Sequence, residues 1–226
     1  MIIKPTGGLC NYLRVVFSYY YYALSIETEL HVIWNVTEAC NGFFLDYFED
    51  IPNIHFYKSI QELESIQKPH KIDYSGCYVH PDFYHNRNIY EKLILKPYLK
   101  DEIKKRMNIL ENDYISVHIR RTDHLKASRG KHTKDEEFID YLNNFDKNIY
   151  IATDNKETYD IFKKKYNERI KIKYHEESES LRRTSLKDAI IDMYMCINSD
   201  NFKGSYHSSF SGVIKKQREY KFKNIN

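Results

Sequence analysis

The sequence predicts an α/β protein built in two halves. Short strand-like runs alternate with amphipathic stretches along the whole chain. The strand-like runs end in glycine or polar loops, and the pattern restarts after a polar break near residues 108–113, NILEND. The expected division is 1–110 and 111–226, about 110 residues in each half, enough for an α/β layer.

In the first half, Met1–Lys4 reads as a strand and Gly7-Gly8 as a break. Asn11–Ser25 follows as a helix, with Leu13, Val16, Phe17, Tyr20 and Leu24 on one side at helical spacing. Leu30–Trp34 and Ile54–Tyr57 are further strands, and Ser59–Ile66 and Tyr98–Leu110 are helices. Asp46–Asp50 reads as the exposed side of an amphipathic helix, and Ser75–Arg87 as an irregular loop. In the second half, strands are expected at Tyr114–Ile119, Asn148–Ala152, Arg169–Lys173 and Phe202–Lys203. Helices are expected over Asp135–Asn143, Lys156–Tyr166, Ser185–Asn198 and Gly212–Tyr220, the last after a serine-rich turn.

Composition narrows the class. The chain has 226 residues, 42% hydrophobic and 30% charged, with 35 basic against 32 acidic side chains. A net charge of +3 is too balanced to indicate a nucleic-acid binder. No apolar run is long enough to span a membrane, and the N-terminal residues lack signal-peptide character, so a soluble cytoplasmic protein is expected. The four cysteines are scattered without metal-ligand spacing, which suggests free thiols.

The stretch Tyr114–Asp123, YISVHIRRTD, carries the most chemistry. A β-branched run ends in two arginines, a threonine and an aspartate, at the kind of strand terminus where open α/β sheets bind ligands. Paired guanidinium groups suit a diphosphate, since each donates forked, charge-assisted bonds to phosphate oxygens. Such a pair also fits a solvated salt-bridge cluster. Two further loops, Thr153–Asn155 and Ser205–Ser211, also follow strands and should gather on the same sheet edge. Serines where a helix begins form an anion site or merely cap the helix. Gly7-Gly8-Leu9-Cys10-Asn11 matches neither the Walker nor the GxGxxG pattern. Its glycines, Gly8 included, would let a ligand approach the backbone, within reach of Asn11 or Arg14.

Taken together, GGLCNYLR, VHIRRTDH, IYIATDN and GSYHSSFS, in that order, resemble the motifs of the fucosyltransferase superfamily. That group spans the α1,6-, α1,2-, protein O- and nodulation fucosyltransferases. The resemblance implies a GT-B-like fold, two Rossmann-like halves with parallel sheets facing a cleft. The first half would serve the acceptor and the second would bind the nucleotide sugar. It implies an inverting, metal-independent transfer of fucose from GDP-fucose, or of a related GDP-sugar, to a glycan hydroxyl. No cofactor, metal, nucleic acid or membrane span is expected.

By the same resemblance, Arg120 would bind the β-phosphate and stabilise the departing diphosphate, supported by Arg121. His118 and Asp154 or Asn155 would lie near guanine or ribose. Ser208, Ser209, Phe210 and Ser211 would form the phosphate-binding turn, and Asn11 would face donor and acceptor. Asp123 is a candidate base or a brace for the arginines. Asp135, Glu136 and Glu137 are rival bases, or simply first-turn helix acids. Cys10 stands where the family has glycine, so the first loop is expected to differ in shape. A nucleotide- or RNA-binding module without catalysis is the alternative from another class, resting on the Lys/Arg clusters at 163–173 and 215–223 and the many tyrosines.

Overall fold

The computed structural model describes residues 1–66, 71–84, 88–122, 133–175 and 184–223. The chain divides into two compact units, Met1–Pro97 and Tyr98–Asn226. The division therefore falls at the first residue of helix α4 (Pro97–Ile109) instead of after the helix. Arg106 of that helix shows why: its guanidinium donates to the Tyr150 hydroxyl in the second sheet, 3.5 Å away.

The first unit is a four-stranded sheet in the order β3-β2-β1-β4, with all neighbours parallel. Its strands are β1 (Ile2–Pro5), β2 (Leu30–Ile33), β3 (Ile54–Tyr57) and β4 (Tyr74–Gly76). Helix α1 (Leu9–Ser25) buries Leu13, Val16, Phe17 and Tyr20 as the spacing required, whereas Leu24, in its last turn, is exposed. Helices α2 (Ile60–Ile66) and α3 (Pro81–Tyr84) complete the described elements. Trp34 is fully buried among Tyr12, Phe44 and Phe56 as a core residue, while Tyr78 is 77% exposed.

The second unit is a three-stranded parallel sheet in the order β6-β5-β7. The strands are β5 (Tyr114–Ile119), β6 (Asn148–Thr153) and β7 (Phe202–Gly204). Every residue of the central β5 is buried, as a strand covered on both faces demands. Helices α5 (Asp135–Asn143) and α6 (Lys156–Tyr166) close one core with Ile115, Val117, Ile119, Ile149 and Ile151. Helices α7 (Leu186–Asn198) and α8 (Ser209–Lys223) follow.

Four expectations need correction. The segment after residue 73 is not wholly irregular: Tyr74–Gly76 pairs with β1 through backbone bonds that need no apolar alternation. Asp46–Asp50 is not an amphipathic helix; a 3-10 turn at Phe44–Asp46 is held by buried Phe44 and Phe48. Residues 169–173 do not form a strand. The Arg169 side chain donates to the carbonyls of Lys147, at 2.8 Å, and Phe145, at 2.7 Å, and a 3-10 turn occupies Asn167–Arg169. The final helix begins at Ser209, three residues before Gly212, which places the serine-rich turn partly inside it. The four cysteines are free thiols.

Candidate active site

Parallel pairing brings the C-terminal ends of β5, β6 and β7 to one edge, and side-chain bonds lock them there. Ser205, just past β7, donates its N–H to the His118 carbonyl at 2.9 Å. Its hydroxyl accepts from the Arg120 N–H at 2.8 Å and donates to the His118 carbonyl at 3.0 Å. On the other flank the Thr153 hydroxyl donates to the Ile119 carbonyl at 2.7 Å. The three loops singled out from the sequence therefore meet.

Asp154 is the anchor of the arginine loop. Its buried carboxylate accepts the Arg121 N–H at 2.8 Å, the Thr122 hydroxyl at 2.5 Å and the Arg120 guanidinium. Arg121 turns instead to Asp135 in the first turn of α5, and its guanidinium lies 6.0 Å from the Phe138 ring. Glu137 of the same turn accepts from the Lys134 N–H at 3.0 Å. The Arg120 and Arg121 side chains are each only 11% exposed, so both ion pairs are partly desolvated and their geometry is tightly held. Bracing of the arginines, expected of Asp123, is carried by Asp154 and Asp135; Asp123 lies outside the described residues.

The turn from β7 into α8 forms the opposite wall. Ser211 is buried, with its hydroxyl 2.8 Å from His118 Nδ1, and the Phe210 ring lies 4.5 Å from the imidazole. Gly204 permits this close approach, since a Cβ there would meet Ser211 Cβ and Oγ at 2.5 Å. Ser208 caps α8: its hydroxyl accepts the Ser211 N–H at 3.4 Å and its carbonyl the Gly212 N–H at 3.0 Å. The first amides of such a helix have no intrahelical acceptor and favour an anion. His207 enters this turn at φ 52°, a left-handed conformation for a non-glycine residue.

The structure brings together His118, Arg120, Arg121, Asp154, Ser208, Ser209, Phe210 and Ser211. Asn155 sits beside them but accepts the Thr158 N–H at 2.8 Å as the cap of α6. Gly8, Asn11 and Arg14 belong to the first unit. There Gly7 takes φ 93° and Gly8 caps α1, its carbonyl accepting the Asn11 N–H at 2.8 Å. Arg14 donates to the Cys77 carbonyl at 3.0 Å. Cys10 needs no positive φ, because it is buried in the first turn of α1, and Gly7 carries the unusual conformation instead.

Sequence reasoning singled out the loops that hold Ser205 and Thr153 but gave these two residues no role of their own, and it passed over Asp192. Ser205 stood within a quoted motif, but its double contact was not visible there. Asp192 lies on the buried side of α7, where it accepts from the Tyr150 hydroxyl at 2.6 Å. Burial raises its pKa from 3.8 to about 6, against the opposing pull of His175, Tyr150 and Arg106. An acid amid the apolar positions of a helix was the available signal. Among the described residues, no group of three His, Cys, Asp or Glu side chains is placed to hold a metal, and no helix is long and apolar enough to cross a membrane.

Comparison with known proteins supplies the class, that of the glycosyltransferases. A family model described as GDP-fucose protein O-fucosyltransferase matches residues 11–221, and the chain belongs to that family. No curated protein matches in sequence. Among solved structures, the fucosyltransferase NodZ from Bradyrhizobium aligns with a TM-score of 0.63 at 12% identity, over 95% of this chain and 91% of that one. POFUT1 in complex with GDP aligns at 0.62 and 11% identity, over 96% and 94%. A mutant of Arabidopsis thaliana FUT1 in complex with GDP aligns at 0.59 and 12% identity, over 96% and 68%. At these identities the likeness concerns the fold, an α/β architecture with parallel sheets.

Proposed function

We propose that the protein transfers fucose from GDP-fucose to a glycan hydroxyl, with inversion and without a resident metal. The observation that carries this reading is the junction of β5 and β7. Through Ser205, the Arg120 loop is tied to the turn that opens α8. A diphosphate held there has a guanidinium on one side and helix amides with serine hydroxyls on the other.

Departure of the leaving group from an oxocarbenium-like centre builds charge on the diphosphate, so a fixed cation stabilises the transition state more than the ground state. Arginine suits this task because its five N–H donors allow one edge to be held by Asp154 while another meets phosphate. The acceptor hydroxyl attacks from the face opposite the diphosphate. Arg121, engaged with Asp135, supports the loop, and the first half, with Asn11, keeps the acceptor role.

The test is turnover of GDP-fucose measured as GDP release, with and without a chelator, for wild type, Arg120→Ala and Arg121→Ala. The expected result is chelator-insensitive activity, abolished in Arg120→Ala with the fold intact and reduced less in Arg121→Ala. Near-normal turnover in Arg120→Ala overturns the donor assignment. Activity with another GDP-sugar and indifference to GDP-fucose would transfer the reading to that donor. Steeply salt-dependent RNA binding without GDP affinity would replace it with a binding module.

A further inference from the structure

The second sheet ends at β7, and the side of that strand away from β5 borders a groove of about 500 Å³. Thr133, Glu137, Lys203, Tyr206 and Lys215 line it together with Phe202 and Gly204 of the strand itself. The pairing register fixes which backbone groups face it. Ser116 donates to the Asn201 carbonyl and Ser205 donates to the His118 carbonyl, so residues 201, 203 and 205 serve the β5 ladder. By strand alternation, Phe202 and Gly204 direct their N–H and C=O groups outward. Among the described residues no strand pairs with that side.

We infer that the open edge of β7 docks an extended, acidic polypeptide segment of a partner protein by strand addition. Main-chain groups of Phe202 and Gly204 supply the register, and alternate side chains of the incoming segment fall into the groove. The lining chooses the charge. Lys203 and Lys215 stand on it against the single carboxylate of Glu137, a net positive wall that favours acidic side chains. Tyr206, 60% exposed, closes the end nearest the catalytic edge and offers an aromatic face. Edge strands are commonly guarded by lysines against pairing with another chain. Here the lysines border a cavity large enough for a ligand, so they select an occupant as well as repel. The groove uses none of the residues assigned to the diphosphate, so this inference stands apart from the donor reading.

The test uses the full chain and fluorescence anisotropy with a labelled peptide of alternating Glu and Thr. Controls are a peptide of alternating Lys and Thr, and the Glu–Thr peptide with N-methylated backbone. Wild type should bind the acidic peptide saturably and neither control. Lys203→Glu combined with Lys215→Glu should weaken acidic binding about tenfold and gain the basic peptide. Lys215→Glu alone, at an exposed helix position, should give a partial effect even where the double variant is damaged. GDP titration of the same samples should be unchanged, which separates failure of the groove from failure of the donor site. The inference is overturned by the absence of saturable acidic-peptide binding, by equal binding of the N-methylated peptide, or by a preference that survives charge reversal.

Discussion

Asp154→Asn tests whether the arginine loop is set by one carboxylate. In wild type three donors converge on Asp154: the Arg121 N–H at 2.8 Å, the Thr122 hydroxyl at 2.5 Å and the Arg120 guanidinium. An amide of the same shape keeps one acceptor and turns an NH2 group toward the remaining donors. The charge-assisted bond to Arg120 accounts for about 1.5–3 kcal/mol and the Thr122 bond for about 1 kcal/mol, a combined loss of about 2–4 kcal/mol. For a chain of this size that lowers the melting temperature by roughly 5–15 °C. With Arg120 no longer held, its bond to phosphate weakens by a similar charge-assisted amount, so GDP should bind about 10–100-fold more weakly. Scanning calorimetry and GDP titration on one preparation read both effects. A variant that melts within about 1 °C of wild type and binds GDP equally well refutes the brace.

Ser211→Ala removes the 2.8 Å contact to buried His118 and should cost about 1–3 kcal/mol in urea denaturation, with weaker GDP binding. Gly7→Ala places a Cβ at φ 93° and 2.5 Å from Asn11 Nδ2, and should cost about 1–3 kcal/mol and lower turnover by displacing Asn11. Asp192 titrates at about 6 in the folded state against 3.8 as its ordinary value, so its relative contribution to stability is present below about pH 4 and lost as pH rises through 6. Asp192→Asn keeps an acceptor for the Tyr150 hydroxyl, and its stability relative to wild type should improve by about 2 kcal/mol between pH 4 and pH 7, read from paired urea curves. A constant difference across that range contradicts the buried-carboxyl reading.

The strands at Tyr114–Ile119 and Asn148–Thr153 were legible because both are dense in apolar and β-branched residues, as buried parallel strands must be. The meeting of three loops followed from parallel order alone. What escaped was made by contacts distant in sequence or by backbone bonding. Asp154 reaches Arg121 across 33 positions, so its bracing role has no local signature. Tyr74–Gly76 has no alternating pattern and is a strand only because β1 lies beside it. Ile170 and Ile172 mimic a strand, but Arg169 spends its donors on carbonyls of residues 145 and 147 and bends the chain. The start of α8 was set too late because Ser-Phe-Ser reads as a turn, whereas Phe210 packs on His118 and draws the helix back to Ser209.

A crystal of the protein soaked with GDP tests the central claim most directly. The account requires electron density for the diphosphate with oxygens about 3 Å from the Arg120 guanidinium and from the amides or hydroxyls of residues 208–211. GDP bound elsewhere, or bound with its phosphates away from Arg120, contradicts it.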